Sequence, residues 1–167
     1  MKGTEAKQEK GFLVMDALVA IFILSVALLA IAGAIIATNK LSTSNDDRTQ
    51  AYKLAQTSME KLKQVPPSTW KNLISVSQTS DKVVGQVVTK NKKNVYCIDN
   101  VEFPTVPTTT INNKDFTTTL TAKMSPAVNT GNHMVQVQVH VTWNTLNAQG
   151  ENQTNTTELI NYCERQD

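Results

Sequence analysis

FLVMDALVAIFILSVALLAIAGAIIA, running from Phe12 to Ala37, is the most apolar stretch of the chain. Its 26 residues carry one charge, Asp16, and make about 39 Å of helix at 1.5 Å per residue. That exceeds the roughly 30 Å hydrocarbon core of a bilayer, so a tilted helix spans it. Apolar residues surround the helix and leave no water-facing stripe. A buried core helix would share this composition, but the polar remainder of the chain is too small to wrap one.

The flanks differ sharply from this segment. Residues 1–11 carry Lys2, Lys7 and Lys10 against Glu5 and Glu9, and the chain beyond Thr38 is polar, rich in Thr, Asn, Gln and Lys. The leading lysines favour a cytoplasmic N-terminus with the rest of the chain outside. A secretory signal peptide would have a shorter apolar core, roughly 7–15 residues, followed by a small-x-small cleavage site. Ala30-Ile31-Ala32 and Ala32-Gly33-Ala34 imitate such a site, yet the apolar run continues past both. A plain signal anchor accounts for the length but not for Gly11-Phe12 or for Asp16.

Gly11-Phe12-Leu13-Val14-Met15-Asp16, followed by the long apolar run, resembles the N-terminus of type IV pilins and type II secretion pseudopilins. The resemblance implies that a prepilin peptidase cuts after Gly11, that the new amine of Phe12 is methylated, and that the apolar helix stays on the mature protein. It places the family's acidic residue at Asp16. The family prefers glutamate there and Thr-Leu where this chain has Leu13-Val14. These departures point to a minor, low-copy subunit rather than the main building block of a filament.

A carboxylate in an apolar span is costly, about 2.5–3.5 kcal/mol near the bilayer centre on insertion scales, and such groups usually mark function. Asp16 lies one turn into the helix and can partly reach the interface. In an assembled filament, Asp16 of one subunit would pair with the Phe12 amine of a neighbour, neutralising two charges and setting the axial register. An interaction with the helix macrodipole is the simpler reading, but it poorly explains a charge tolerated in an apolar span. Gly33 has two readings that stand side by side. It either loosens the helix, at about 1 kcal/mol relative to Ala, or allows close packing with Ala30, Ala34 and Ala37.

Ala51, Leu54, Ala55, Met59, Leu62 and Val65 recur at three- and four-residue spacing, which predicts an amphipathic helix ending before Pro66-Pro67. It reads as a continuation of the membrane helix with a weak point around Ser42–Asp47. Two helices joined by a turn at Ser44-Asn45-Asp46 are the alternative. Beyond Pro67 the period changes to two. Val135, Val137, Val139, Val141 and Trp143 alternate with polar residues, as do Phe116, Thr118, Leu120, Ala122 and Met124. These are half-buried antiparallel strands. Val83–Thr89, Asn94–Ile98 and Thr156–Tyr162 are shorter candidates, with a turn across Asn147–Asn152. The expected fold is α+β and pilin-like: a long N-terminal helix packed on a small antiparallel sheet. The closing hairpin, Val135–Trp143 with Thr156–Tyr162, is similar to that of minor pilins and pseudopilins of the PilV/GspI kind. The expected organisation is a leader over 1–11, a transmembrane and assembly helix over 12–37, its amphipathic continuation over 38–65 and a sheet domain over 66–167.

Cys97 and Cys163 lie outside any CxxC spacing, and an even count on an exported domain fits one disulfide tying down the last strand better than a metal site. A net charge of +2, with no basic cluster larger than Lys90, Lys92 and Lys93, argues against a direct nucleic-acid partner. His133 and His140 read as ordinary surface residues rather than metal ligands. The six glycines are scattered and form no phosphate loop. GxSxG and HExxH are absent from the sequence, and no nucleophile–base pair, catalytic residue or cofactor site can be nominated. The segment Pro104–Thr121 reads as a loop leading into an edge strand, its prolines discouraging pairing. Asn152-Gln153-Thr154 and Asn155-Thr156-Thr157 match glycosylation acceptors, as chance allows in an Asn/Thr-rich chain.

The expected function is therefore structural, not enzymatic: a minor pilin or pseudopilin in the inner membrane and later in a filament. The resemblance implies other such subunits, the prepilin peptidase, an inner-membrane assembly platform and membrane lipid as partners. A membrane-anchored domain that binds a ligand or adheres and never polymerises is the alternative.

Overall fold

A computed structural model describes residues 5–75, 77–90, 93–125, 134–146 and 151–165, with side chains from Val14 onward. The chain divides into two compact units, Met1–Asn45 and Asp46–Asp167. Helix α1 runs over Glu5–Leu62, and Ser42–Asp47, the expected weak point, is helical throughout. The run of Ala, Leu and Ile supplies helix formers. Three hydroxyls of the helix hydrogen-bond to its own backbone. Ser25 Oγ donates to the Ile21 carbonyl at 2.8 Å and Thr38 Oγ1 to the Ala34 carbonyl at 2.8 Å. Thr43 Oγ1 does the same to Asn39 at 2.5 Å.

In the second unit, the helical residues Ala51, Leu54, Ala55, Met59 and Leu62 are buried and belong to one core with the strands. Two of these five are alanines, which let strand side chains come close. The helix stops at Leu62, earlier than the prolines require. Pro67 then opens a second helix, α2 (Pro67–Leu73), at its first turn, where its missing N–H is harmless. The Ile74 amide closes α2 on the Trp70 carbonyl at 2.9 Å, and Trp70 is fully buried.

The strands form two antiparallel sheets. The larger has β1 (Lys82–Val83), β6 (Lys114–Met124), β7 (Met134–Leu146) and β8 (Asn152–Glu164) in that order, with β5 (Thr108–Ile111) also on β6. The smaller is β2 (Gln86–Lys90), β3 (Lys93–Ile98) and β4 (Val101–Phe103). The alternation read from the sequence is the burial pattern. Val135, Val137, Val139, Val141 and Trp143 on β7 are buried, as are Phe116, Thr118, Leu120, Ala122 and Met124 on β6. Register makes these faces coincide: Phe116 opposes Trp143, and Leu120 opposes Val139. The Phe116 and Trp143 rings lie 5.9 Å apart between centroids. Each fully buried Val or Leu contributes about 1.5–3 kcal/mol, taken as an upper estimate.

The Val83–Thr89 candidate is two strands in two sheets. Gly85 has φ +95°, which only glycine adopts readily, and there the chain leaves β1 and enters β2. Val84 between them is buried, and its carbonyl accepts a bond from the Tyr96 hydroxyl at 2.5 Å. The Pro104–Thr121 segment runs through a loop over 104–107 into an edge strand, β5, and on into β6. β5 and β6 form a hairpin whose turn residues, Asn112 and Asn113, have φ of 51° and 60°. Asparagine tolerates that left-handed region, and the pair makes a two-residue hairpin turn. Residues 147–150 of the expected Asn147–Asn152 turn lie outside the described residues.

Candidate functional site

The first candidate site is the apolar part of α1. It is long and apolar enough to cross a membrane, with mean hydropathy 2.9 in its most apolar window and no burial of that window within the chain. Phe22 is 70% exposed and Leu29 74%. So much contiguous apolar surface needs lipid or other helices around it. Gly11 and Phe12 fall within α1, but their side chains lie outside the described residues. Asp16 is helical and exposed, four residues beyond Phe12. Among the described residues no hydrogen bond or ion pair joins Asp16 to the chain. A Cβ at Gly33 would meet no atom within 4 Å, so nothing in the chain packs closely there.

The second candidate is a cleft in the sheet unit. Arg48, Thr49 and Tyr52 come from the helix, Trp143 from β7, and Asn155, Thr156 and Thr157 from β8; together they enclose about 460 Å³. Arg48 and Tyr52 are exposed, whereas Trp143 is buried. The Asn155 amide donates to Thr145 Oγ1 at 2.8 Å, which holds one donor of the cleft in place. The lining offers a cation, two aromatic groups and hydroxyls. That set can hold a small polar or anionic group and has no nucleophile–base pair.

Cys97 and Cys163 are not joined. Both are free thiols. Cys97 lies on β3 of the smaller sheet, opposite Gln86, and Cys163 on β8 of the larger sheet, opposite Val135. Burial pushes the Cys163 thiol above its ordinary value, with the nearby Lys63 ammonium opposing the shift. Among the described residues no three His, Cys, Asp or Glu side chains converge as a metal site would need. His140 lies on the outward face of β7, its Nε2 3.4 Å from Gln138 Oε1. His133 lies outside the described residues. Both glycosylation-like triplets fall on β8 rather than in a loop.

Sequence reasoning missed the cleft, because its residues are far apart in the chain and none belongs to a motif. The one available signal was Arg48, one of two arginines, in the turn of helix before the amphipathic pattern begins. Compared with known proteins, the chain matches no family model, no curated protein and no solved structure.

Proposed function

We propose that the chain is a prepilin-type subunit, a minor pilin or pseudopilin. A prepilin peptidase cuts it after Gly11, Phe12 becomes an N-methylated terminus, and the apolar helix carries the subunit into a pilus or pseudopilus. The observation that carries this reading is Asp16. It is one carboxylate, one helical turn beyond Gly11-Phe12, in the stretch of helix from Phe12 to Ala37 that is otherwise uncharged and, from Val14 on, exposed. Cleavage creates the amine that this carboxylate can pair with on a neighbouring subunit. The α+β architecture, a long helix with an antiparallel sheet unit, agrees with the reading. The subunit sits in the inner membrane with the sheet unit outside. It works through the peptidase, the assembly platform, lipid and other subunits, and it catalyses nothing itself.

N-terminal mass spectrometry after co-expression with a prepilin peptidase tests this. A mature chain starting at Phe12 and heavier by one methyl group is the expected result. A chain that keeps residues 1–11 rejects it.

The cleft of Arg48, Tyr52 and Trp143 favours a second reading, a membrane-anchored domain that binds a ligand or adheres without polymerising. A retained leader together with saturable binding of a small anionic ligand, lost in Arg48→Ala, would favour it over the first.

A further inference from the structure

β8 is the last strand of the larger sheet. It pairs with β7 over all 13 of its residues in one unbroken register, and among the described residues its other edge has no strand. α2 touches β8 but, being a helix, offers it no ladder. A free edge of this length invites pairing, and natural sheets usually block it with charged side chains, lysine above all, with proline, a bulge or a short strand, or by covering it with a helix or loop. β8 is long and has no lysine, proline or bulge; its charges are Glu158 and Glu164. Asn152–Glu164 contains no Lys, Arg, Pro or Gly, and the constant register excludes a bulge.

The two faces of β8 say what would fit beside it. Its inner face is unfinished. Leu159 and Cys163 pack on the core but stay partly exposed, whereas Val135, Val137, Val139 and Val141 on neighbouring β7 are fully buried. Its outer face carries Glu158 and Glu164, with Ile160 and Tyr162 between them, 51% and 52% exposed. An added strand has period two, so one row of its side chains meets each face. Directly opposite residues approach to about 4.5–5.5 Å between Cβ atoms, close enough for charge pairing.

We propose that the free edge of β8 is a docking site for an extended segment of another protein, added as a further strand. The segment has basic side chains on one face, meeting Glu158 and Glu164, and apolar side chains on the other, completing the cover of Leu159 and Cys163. Main-chain bonds hold it and the alternating side chains select it. The acidic outer face also disfavours a second copy of β8, since like charges then share one face. The inference goes beyond the subunit reading and does not depend on it.

The test uses the full chain in detergent micelles and a synthetic peptide as long as β8 that alternates lysine and valine. Fluorescence anisotropy reads binding, and amide hydrogen exchange reads where it occurs. Saturable binding is expected, with new protection concentrated in Asn152–Glu164. Glu158→Gln with Glu164→Gln should weaken it about threefold to tenfold, the scale of two cross-strand pairs. The same peptide N-methylated at every second residue keeps its charge but cannot form the ladder, and should not bind. The proposal is overturned if the peptide fails to bind, or if the methylated peptide binds as well as the plain one, which would mean charge attraction alone. It is equally overturned if β8 is already protected without peptide in a concentration-dependent way, which would mean that a second copy occupies the edge.

Discussion

Lys114 donates through Nζ to the carboxylate of Asp47, joining a residue of α1 to the β5–β6 hairpin 67 positions later in the chain. Asp47 is 8% exposed, while the Lys114 side chain keeps about a third of its surface in water. Removing one partner of a fully buried pair costs about 3–5 kcal/mol. With Lys114 partly hydrated, roughly half that is expected for Lys114→Met. Adding Asp47→Asn should recover most of the loss. Urea unfolding of the full chain in detergent, followed by tryptophan fluorescence, checks this. A double variant no more stable than Lys114→Met would show that the carboxylate is not the source of the cost.

Gly85 separates two strands that belong to different sheets. A Cβ there would run into the Tyr96 ring and Ile98, and φ +95° is unfavourable for any L side chain. Gly85→Ala should therefore destabilise by roughly 1–3 kcal/mol. The same unfolding measurement reads it, and a neutral result would mean that the β1–β2 connection relaxes freely.

Much of this fold was legible in the sequence because burial on one face writes a period. Val135–Trp143 and Phe116–Met124 alternate because one side of each strand faces the core, with Thr121 and Gln138 the two outward residues that are also buried. Ala51–Leu62 shows the helical period for the same reason. What stayed hidden lacks a repeated face. β4 has three residues and β5 four, of which Ile111 alone is a large apolar residue. α2 is too short to show periodicity and buries only Trp70. The Val83–Thr89 run looks continuous, and only the backbone at Gly85 reveals that it feeds two sheets. At the candidate sites, Gly11, Phe12 and Asp16 are contiguous and readable, while the cleft joins residues from three elements. Cysteine parity suggested a bond, and the two thiols stand free on strands of different sheets.

Trp70 anchors α2, and its ring is fully buried with no partner for Nε1 among the described residues. Trp70→Ala should cost about 3–5 kcal/mol through the cavity it leaves. Trp70→Phe also removes the unpaired N–H, so its loss should be clearly smaller. Circular dichroism melts of both variants check the order. Equal losses would mean that indole volume outweighs the unpaired group.

Burial disfavours the charged forms of the Tyr96 hydroxyl and the Cys163 thiol and raises the pKa of both above the ordinary values. In each case the folded protein holds its proton more tightly than the unfolded chain does. The associated stability is complete below the unfolded values, about 8.5 for Cys and 10 for Tyr, and is lost as pH rises through the folded ones. Stability should thus hold to about pH 8.5 and then fall, in two overlapping steps. Tyr96→Phe should remove the upper step, and Cys163→Ser the lower. Urea midpoints measured across alkaline pH check both, and an unchanged profile in both variants would refute the assignment.

Asp16→Ala should abolish incorporation into filaments or tip complexes, while Asp16→Glu should retain it. Immunoblotting of sheared filaments against membrane fractions reads the outcome. Normal incorporation of the alanine form would sink the pairing of Asp16 with a neighbouring Phe12 amine.

The hydroxyls of Ser25, Thr38 and Thr43 are each spent on a carbonyl one turn back in the same helix. From Leu18 to Ala37, where Ser25 is the one polar side chain, the helix therefore asks nothing of its surroundings in hydrogen-bonding terms. Acyl chains and apolar side chains are interchangeable neighbours for it, and transfer between them leaves its internal bonds untouched. Asp16 is the exception: for that carboxylate the two environments differ, because another protein can supply a counter-charge and a hydrocarbon tail cannot.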